Sequence, residues 1–289
     1  INAGSVTAIS TRGAGIGGGY GADGGDVTIN GGTVTARSVG YYHNHYEYSY
    51  GSGAGIGSGA SSNVKQTNGG NIIITGGVVN AKAWYGGAGI GGGAWDSYFL
   101  TFKYNGGNGG NINISGGVVN AIGTFGGAGI GGGVGGNGAE VTISGGTISA
   151  ESIQGMKDLV PEGSPYSENP SGEYSGQDIG GGCDASSIVE CADASSNGSL
   201  TVSGTSALFL RNDKSTPVTT LSHGHKTFSD STAVTGFTVP TTWDSDFGAW
   251  LLPRLYAVTV NSGTGGGDFA ESATVSITAN APATGKVFD

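Results

Sequence analysis

The sequence predicts an all-β fold: a right-handed parallel β-helix (β-solenoid) with about three short strands per coil, long loop insertions and a C-terminal β cap. Three observations carry this prediction: a glycine content hostile to helices, two sequence blocks that alternate along the chain, and strand-type periodicity inside each block. Of 289 residues, 62 are glycine, roughly three times ordinary usage. Glycine in a helix interior costs about 1 kcal/mol relative to alanine, so a helix bundle is excluded. Glycine and proline together make up 69 of the 289 residues, a share that signals low complexity unless the glycines recur at fixed positions. They do recur.

The first block, Gly13-Ala14-Gly15-Ile16-Gly17, returns at 53–57, 87–91 and 127–131, and in altered form at Asp178-Ile179-Gly180-Gly181-Gly182. The second runs from Val27 to Ala36, Ile72 to Ala81, Ile112 to Ala121 and Val141 to Ala150, with a degraded copy from Leu200 to Phe209. Ile1 to Ala8 matches the second half of this block, so the chain starts inside a repeat. Apolar residues alternate in both blocks (Val27 and Ile29, Val34 and Ala36, Ala14 and Ile16), which is strand periodicity. Gly31-Gly32 sits where two such strands meet at a tight corner. A single coil cannot bury its apolar side. Stacking solves this by pairing each strand with its equivalents about 4.8 Å above and below, so Ile16, Ile56, Ile90, Ile130 and Ile179 are expected to form one internal ladder. The right-handed sense follows from the chirality of parallel crossovers. Successive glycine blocks lie 40, 34 and 40 residues apart, more than the about 30 that a minimal coil takes. The excess leaves the coil as loops, where binding residues gather on a rigid scaffold.

The strings 13–19 (Gly-Ala-Gly-Ile-Gly-Gly-Gly) and 68–81 (Asn-Gly-Gly-Asn-Ile-Ile-Ile-Thr-Gly-Gly-Val-Val-Asn-Ala) resemble the glycine-rich β-helix repeats of secreted or wall-attached surface proteins of Gram-positive gut and rumen bacteria. The resemblance covers residues 1 to about 210, and some of that group are labelled carbohydrate-binding. The stretch from Tyr256 to Asp289 is similar to the opening half of a divergent internalin-type B repeat. Together these imply a segment of a longer multidomain chain, extracellular and secreted or attached to the cell wall. The expected organisation is a parallel β-helix over 1–210, a C-terminal capping region over 211–255 carrying Trp243 and Trp250, and a truncated β-repeat module or linker over 256–289. Neither family carries catalytic residues that map onto this chain.

The formal charge of −10 comes from few charges, since only 11% of residues are charged. Without a Lys/Arg cluster the chain lacks the face that nucleic acid or an anionic membrane requires. No apolar run of about 18 residues is present, so membrane insertion is not expected. Cys183 and Cys191, the only cysteines, lie in a turn-like acidic segment; a disulfide between them fits an oxidising extracellular setting, and two free thiols are the alternative.

Candidate chemistry concentrates in the insertions. Eight of the twelve tyrosines fall between residues 41 and 104. Tyr41, Tyr42, His43, Tyr46, Tyr48, Tyr50, Trp84, Tyr85, Trp95, Tyr98 and Tyr104 are the candidate ligand-binding residues. If Ala14 and Ile16 face inward, Gly13, Gly15 and Gly17 face outward and form a floor without side chains. Aromatic walls over such a floor suit a sugar chain, because rings stack on sugar C–H surfaces while phenol and indole groups hydrogen-bond. The same aromatics can instead pack on each other as a satellite core, or form a protein-binding patch. Asp178 replaces the outward glycine of the fifth copy, and with Asp184 it can supply the carboxylate pair of a glycosidase. Oxygen-rich acidic loops can also bind Ca²⁺, although no cofactor is required. His43 with His45, and His223 with His225, have metal-ligand spacing, but no third ligand is fixed, so no metal site is assigned. The Gly-x-Gly-x-x-Gly spellings recur in every coil and precede no helix, which rejects a nucleotide fingerprint. Val78/Asn80 and Val118/Asn120 break the Thr-x-Thr array that ice binding would need.

Three functions follow as expectations. The first is an extracellular bacterial surface β-helix that binds polysaccharide, a host or plant glycan, as an adhesive segment. The second is a carbohydrate-active enzyme, a glycoside hydrolase or polysaccharide lyase, working through Asp178 and Asp184. The third is a passive stalk.

Overall fold

The computed structural model describes residues 1–43, 48–62, 65–95, 106–153, 176–183, 198–203, 206–210, 218–221, 226–228, 249–252, 255–270, 274–281 and 284; residues 41–43, 48–50, 218–221, 226–228, 249–252, 255–257 and 268–270 are described as backbone alone. Among the described residues there is no helix, and the strands form a right-handed parallel β-helix. Each coil contributes one strand to each of three faces. The long-strand face is Ser5–Ser10, Thr33–Ser38, Val78–Ala83, 118–124, 147–153 and Ala207–Leu210. The glycine face is Ile16–Gly17, Ile56–Gly57, Ile90–Gly91, Ile130–Gly131 and Ile179–Gly180. The third face is Asp26–Ile29, Asn71–Ile74, 111–114, 140–143, Ser199–Val202 and Val218–Leu221. Pairing on all three faces is parallel and in register, as in Val34↔Val79, Val119↔Ile148 and Ile72↔Ile112. In the fourth and fifth coils a single strand, Asn111–Thr124 or Glu140–Ile153, runs through the corner between the third and long-strand faces.

The interior is a set of ladders of like residues. Ile16, Ile56, Ile90, Ile130 and Ile179 pair directly, and the last four are fully buried. Val34, Val79, Val119, Ile148 and Leu208 make a second ladder, and Ile29, Ile74, Ile114, Ile143 and Val202 a third, each member at most 1% exposed. Burying one such side chain contributes about 1.5–3 kcal/mol, and every coil supplies several. The parallel long-strand ladder ends where Ala249–Leu252 pairs antiparallel with Ala207–Leu210 and with Lys226–Phe228. Leu255–Val258 with Gly267–Ala270, and Gly263–Thr264 with Thr278–Ala279, form two further antiparallel ladders.

Glycine is required at two recurring places. At the corner between the third and long-strand faces, the second glycine of each pair is left-handed, with φ of +85° at Gly32, +90° at Gly77, +88° at Gly117 and +89° at Gly146, a region L-residues enter only at a cost. On the glycine face, Gly57, Gly91 and Gly131 have φ of +136°, +128° and +140°, and a Cβ on any of them would overlap the carbonyl of its equivalent in the next coil.

A polar ladder closes the corner between the glycine and third faces. Asp23 Oδ1 accepts the Asn68 N–H of the next coil at 2.8 Å, and Asn108 Oδ1 accepts that of Asn137 at 3.0 Å. Asp23 also pairs with Lys65 Nζ at 2.8 Å, both side chains about half exposed. The Lys65 hydrogen bond holds the Asp23 carboxyl below the usual carboxylate value; desolvation opposes this and the Asn68 amide adds to it.

Two predictions follow from this packing. Gly91→Ala is expected to destabilise the solenoid by about 2–4 kcal/mol, whereas Gly25→Ala, left-handed at φ +67° but facing open space, should cost about 1 kcal/mol; thermal or denaturant unfolding of the two variants ranks them. Because the native pKa of Asp23 is depressed, its contribution is present above the unfolded carboxylate value and disappears as pH falls through the native one. Melting temperature followed from pH 5 downward should therefore fall less steeply in Asp23→Asn than in the unaltered protein.

Candidate functional site

The tyrosine-bearing insertion that begins at Tyr41 leaves the solenoid at the corner between the long-strand and glycine faces, and Trp84 and Tyr85 lie at the same corner one coil on. Tyr41–His43 and Tyr48–Tyr50 pair as an antiparallel hairpin, with Tyr41 opposite Tyr50 and His43 opposite Tyr48. Its return strand is anchored to the next coil: Ser52 N–H reaches Tyr85 O at 3.4 Å, and Ser52 Oγ donates to Trp84 O. Gly51 has no room for a Cβ because Ala94 Cβ and the Trp95 carbonyl occupy that space. The hairpin backbone, Trp84, Tyr85 and Trp95 are thus brought to one corner of the second and third coils.

The ring of Tyr85 lies parallel to that of Phe125, with centroids 5.6 Å apart and planes 9° apart. Both residues are left-handed, φ +53° and +52°, and both occupy the position filled by Gly40 one coil earlier. A Cβ at Gly40 would stand 2.5 Å from the Tyr85 ring, so glycine there lets the ring lie against the coil beneath. Tyr85 therefore belongs to an aromatic stack that includes Phe125, a residue the aromatic-loop pattern missed. Trp84 is partly exposed, and Lys82 Nζ lies 5.7 Å from its ring centroid. Trp84 Nε1 is shielded from solvent and has no acceptor.

Lys82 and Arg37 are the other residues that sequence reasoning passed over. They pair in register on adjacent long strands and face outward. The signal was available: each follows the alanine that ends its block, as do Ile122 and Glu151 in the next two coils. Burial lowers the Lys82 pKa from the ordinary lysine value; the field of Arg37 adds to this and Glu151 opposes it.

The insertion 58–67 that leaves the second coil is held by a closed hydroxyl network. Thr67 Oγ1 lies 3.0 Å from Ser58 Oγ and 3.1 Å from Ser61 Oγ, and it donates to Gly59 O at 3.0 Å. Ser58 Oγ in turn accepts Gly93 N–H at 2.9 Å. All three side chains are at most 1% exposed, and the network is a clasp between coils.

The expected glycine floor is corrected by the structure. Residues 51–60, 86–94 and 126–133 are buried throughout. A Cβ at Gly15 would lie 2.5 Å from Arg37 N, one at Gly55 2.5 Å from Lys82 N and one at Gly129 2.5 Å from Glu151 N. These glycines are bare because the backbone of the next long strand sits against them, not because a ligand does. Asp178, in the equivalent position, is likewise not on an outward surface. It is 0% exposed, and its Oδ1 accepts Ser152 N–H at 2.8 Å. Ile179–Gly180 is the last glycine strand of its ladder among the described residues, and there a side chain is accommodated that the coils below exclude.

Of the remaining candidates, Tyr46, Tyr98, Tyr104, Asp184 and Cys191 lie outside the described residues, and for Tyr41, Tyr42, His43, Tyr48 and Tyr50 the backbone alone is described. Cys183 is 3% exposed and disulfide-bonded. Among the described residues no three His, Cys, Asp or Glu side chains assemble into a metal-holding group.

Removing the Asp178 carboxylate leaves a buried N–H without its acceptor, which costs about 1–3 kcal/mol. Asp178→Ala is therefore expected to lower the melting temperature, whatever it does to any activity, and calorimetry of the purified variant measures it.

A family model described as a beta helix repeat matches residues 1–20, 27–60, 72–94 and 112–134. Each matched segment contains one glycine strand and the long strand that precedes it, and the last three also take in most of the third-face strand before that. No curated protein and no solved structure matches the chain. Over the matched coils the chain is similar to beta helix repeats, and the same parallel ladders continue beyond the match, through Glu140–Ile153 to Ala207–Leu210.

Proposed function

We propose that this β-helix is a glycan-binding, adhesive segment of a bacterial surface protein, held outside the cell, with a polysaccharide of host or plant origin as its partner. The observation that carries the reading is the corner where the tyrosine-bearing hairpin is anchored to Trp84 and Tyr85. There a partly exposed indole and a stacked pair of rings stand on a rigid scaffold beside two outward cations. Rings held in this way lose little entropy on binding, and their faces suit the C–H surfaces of sugars. The parallel long strands continue the surface. Asn80 and Asn120 lie in register on the outer face, and Asn80 is about 13 Å along the strand from Trp84, four residues at the extended rise. An extended polymer fits that span better than a single small molecule.

The disulfide at Cys183 supports an oxidising location. The buried Asp178 favours binding over hydrolysis as the role of the solenoid. Trp84→Ala is expected to weaken retention on the preferred glycan about tenfold or more, as for a central aromatic anchor, while leaving unfolding transitions close to those of the parent. A glycan array followed by affinity electrophoresis of both proteins measures this. Absence of any glycan-dependent signal, or equal retention of the two proteins, would reject the assignment.

A further inference from the structure

The outward faces of the second and third long strands hold an unusual pair. Arg37 and Lys82 are directly opposite one another in a parallel ladder, about 4.8 Å apart at the backbone. Like charges opposite each other in a sheet are destabilising, and among the described residues the carboxylate whose field opposes that of Arg37 at Lys82 is Glu151. Their ladder neighbours on either side are Ile9 and Ile122, and the Lys65–Asp23 ion pair lies at another corner. Glu151, the nearest acid in the column, is two coils from Lys82 along the ladder. The indole of Trp84 completes the group: its ring is 5.7 Å from Lys82 Nζ, and its N–H lacks an acceptor. Guanidinium and ammonium thus face outward on adjacent strands, with the indole ring beside Lys82 Nζ.

The charge distribution along the chain agrees. Residues 1–139 carry five Lys/Arg against four Asp/Glu, whereas residues 140–289 carry six against seventeen. The acidity of the protein belongs to its C-terminal half, and the coils that bear the aromatic corner are close to neutral.

We infer that Arg37, Lys82 and Trp84 form an anion subsite, and that the glycan bound at this corner is acidic, its carboxylate or sulfate group bridging the two cations. This rests on the glycan-binding reading and names the class of glycan. A guanidinium presents a planar fork of donors that matches a carboxylate or sulfate edge, while Lys82 adds a point charge. The anion replaces a repulsion with two attractions. It also offsets the burial and neighbouring positive field that lower the Lys82 pKa.

The test is a glycan array printed in matched pairs, each uronate-bearing glycan beside its carboxyl-reduced form and each sulfated glycan beside its desulfated form. It is probed with the unaltered protein, with Arg37→Gln/Lys82→Gln and with Trp84→Ala. Both glutamines lie on the outer face, so the fold is retained, which far-UV circular dichroism checks. The expected result is a preference of about tenfold for the acidic member of a pair, lost in the double variant and diminished by added salt. Whether uronates or sulfates carry the preference identifies the anion. Equal binding to both members of every pair, or a preference that survives in the double variant, overturns the anion subsite while glycan binding stands. No glycan-dependent signal from the unaltered protein overturns both.

Discussion

The structure depends on one constraint: each coil must lie about 4.8 Å from the next along three faces at once. On the long-strand and third faces, ordinary β-residues meet that spacing, because side chains alternate into the core or out to solvent. On the glycine face they cannot. There the backbone of one coil lies against its equivalent in the next and against the long strand beyond it, so that Gly15, Gly55 and Gly129 abut the amides of Arg37, Lys82 and Glu151. The glycine strands are two residues long, and their single inward isoleucines form the whole apolar contribution of that face. A coil built this way has two long sides bearing side chains and one short side made almost entirely of main chain.

That constraint explains why so much of the architecture was legible in the sequence. A repeat in which only glycine fits, at fixed offsets from alternating valine and isoleucine, specifies both the corner and the register. The isoleucine ladder from Ile16 to Ile179 could therefore be written down before any coordinate. What the pattern did not convey was the direction in which the glycines face. Alternation assigns Gly15 to the outside of the coil. It cannot show that the outside of one short strand is the inside of a contact with the following coil, because that contact joins residues about twenty positions apart, as in Gly15 and Arg37. The floor without side chains was an inference from one coil, and the packing of two coils removes it. Asp178 was misjudged for the same reason, since a position that is outward by alternation is enclosed by stacking.

The aromatic residues divide along the same line. Tyr85 was marked by its chemistry, and its place is decided by its column: Gly40, Tyr85 and Phe125 occupy one position in successive coils, so two rings stack and the glycine beneath makes room. Column position is legible once the blocks are aligned, and the same alignment places Lys82 above Arg37. Residue type alone pointed to tyrosines scattered over two insertions. Residue type read down the columns points to a smaller group, Arg37, Lys82, Trp84, Tyr85 and Phe125, rigidly held on the second to fourth coils.

The division of labour between columns also bears on how such a protein diversifies. Inward columns are constrained by volume, which admits valine, isoleucine and leucine, and glycine columns by main-chain contact, with Asp178 the exception in the last glycine strand described. Outward columns are free: at the position after the terminal alanine the chain carries Arg37, Lys82, Ile122 and Glu151 in four successive coils, and the ladder accepts all of them. Each outward column therefore acts as a row of independent sites spaced by the strand separation, in which charge and aromatic character change from coil to coil at little cost to the core. Because register is set elsewhere, a substitution in such a column alters the surface without moving its neighbours. The cationic pair at the aromatic corner is one setting of that row, and Glu151, two coils beyond Lys82 and buried, is another.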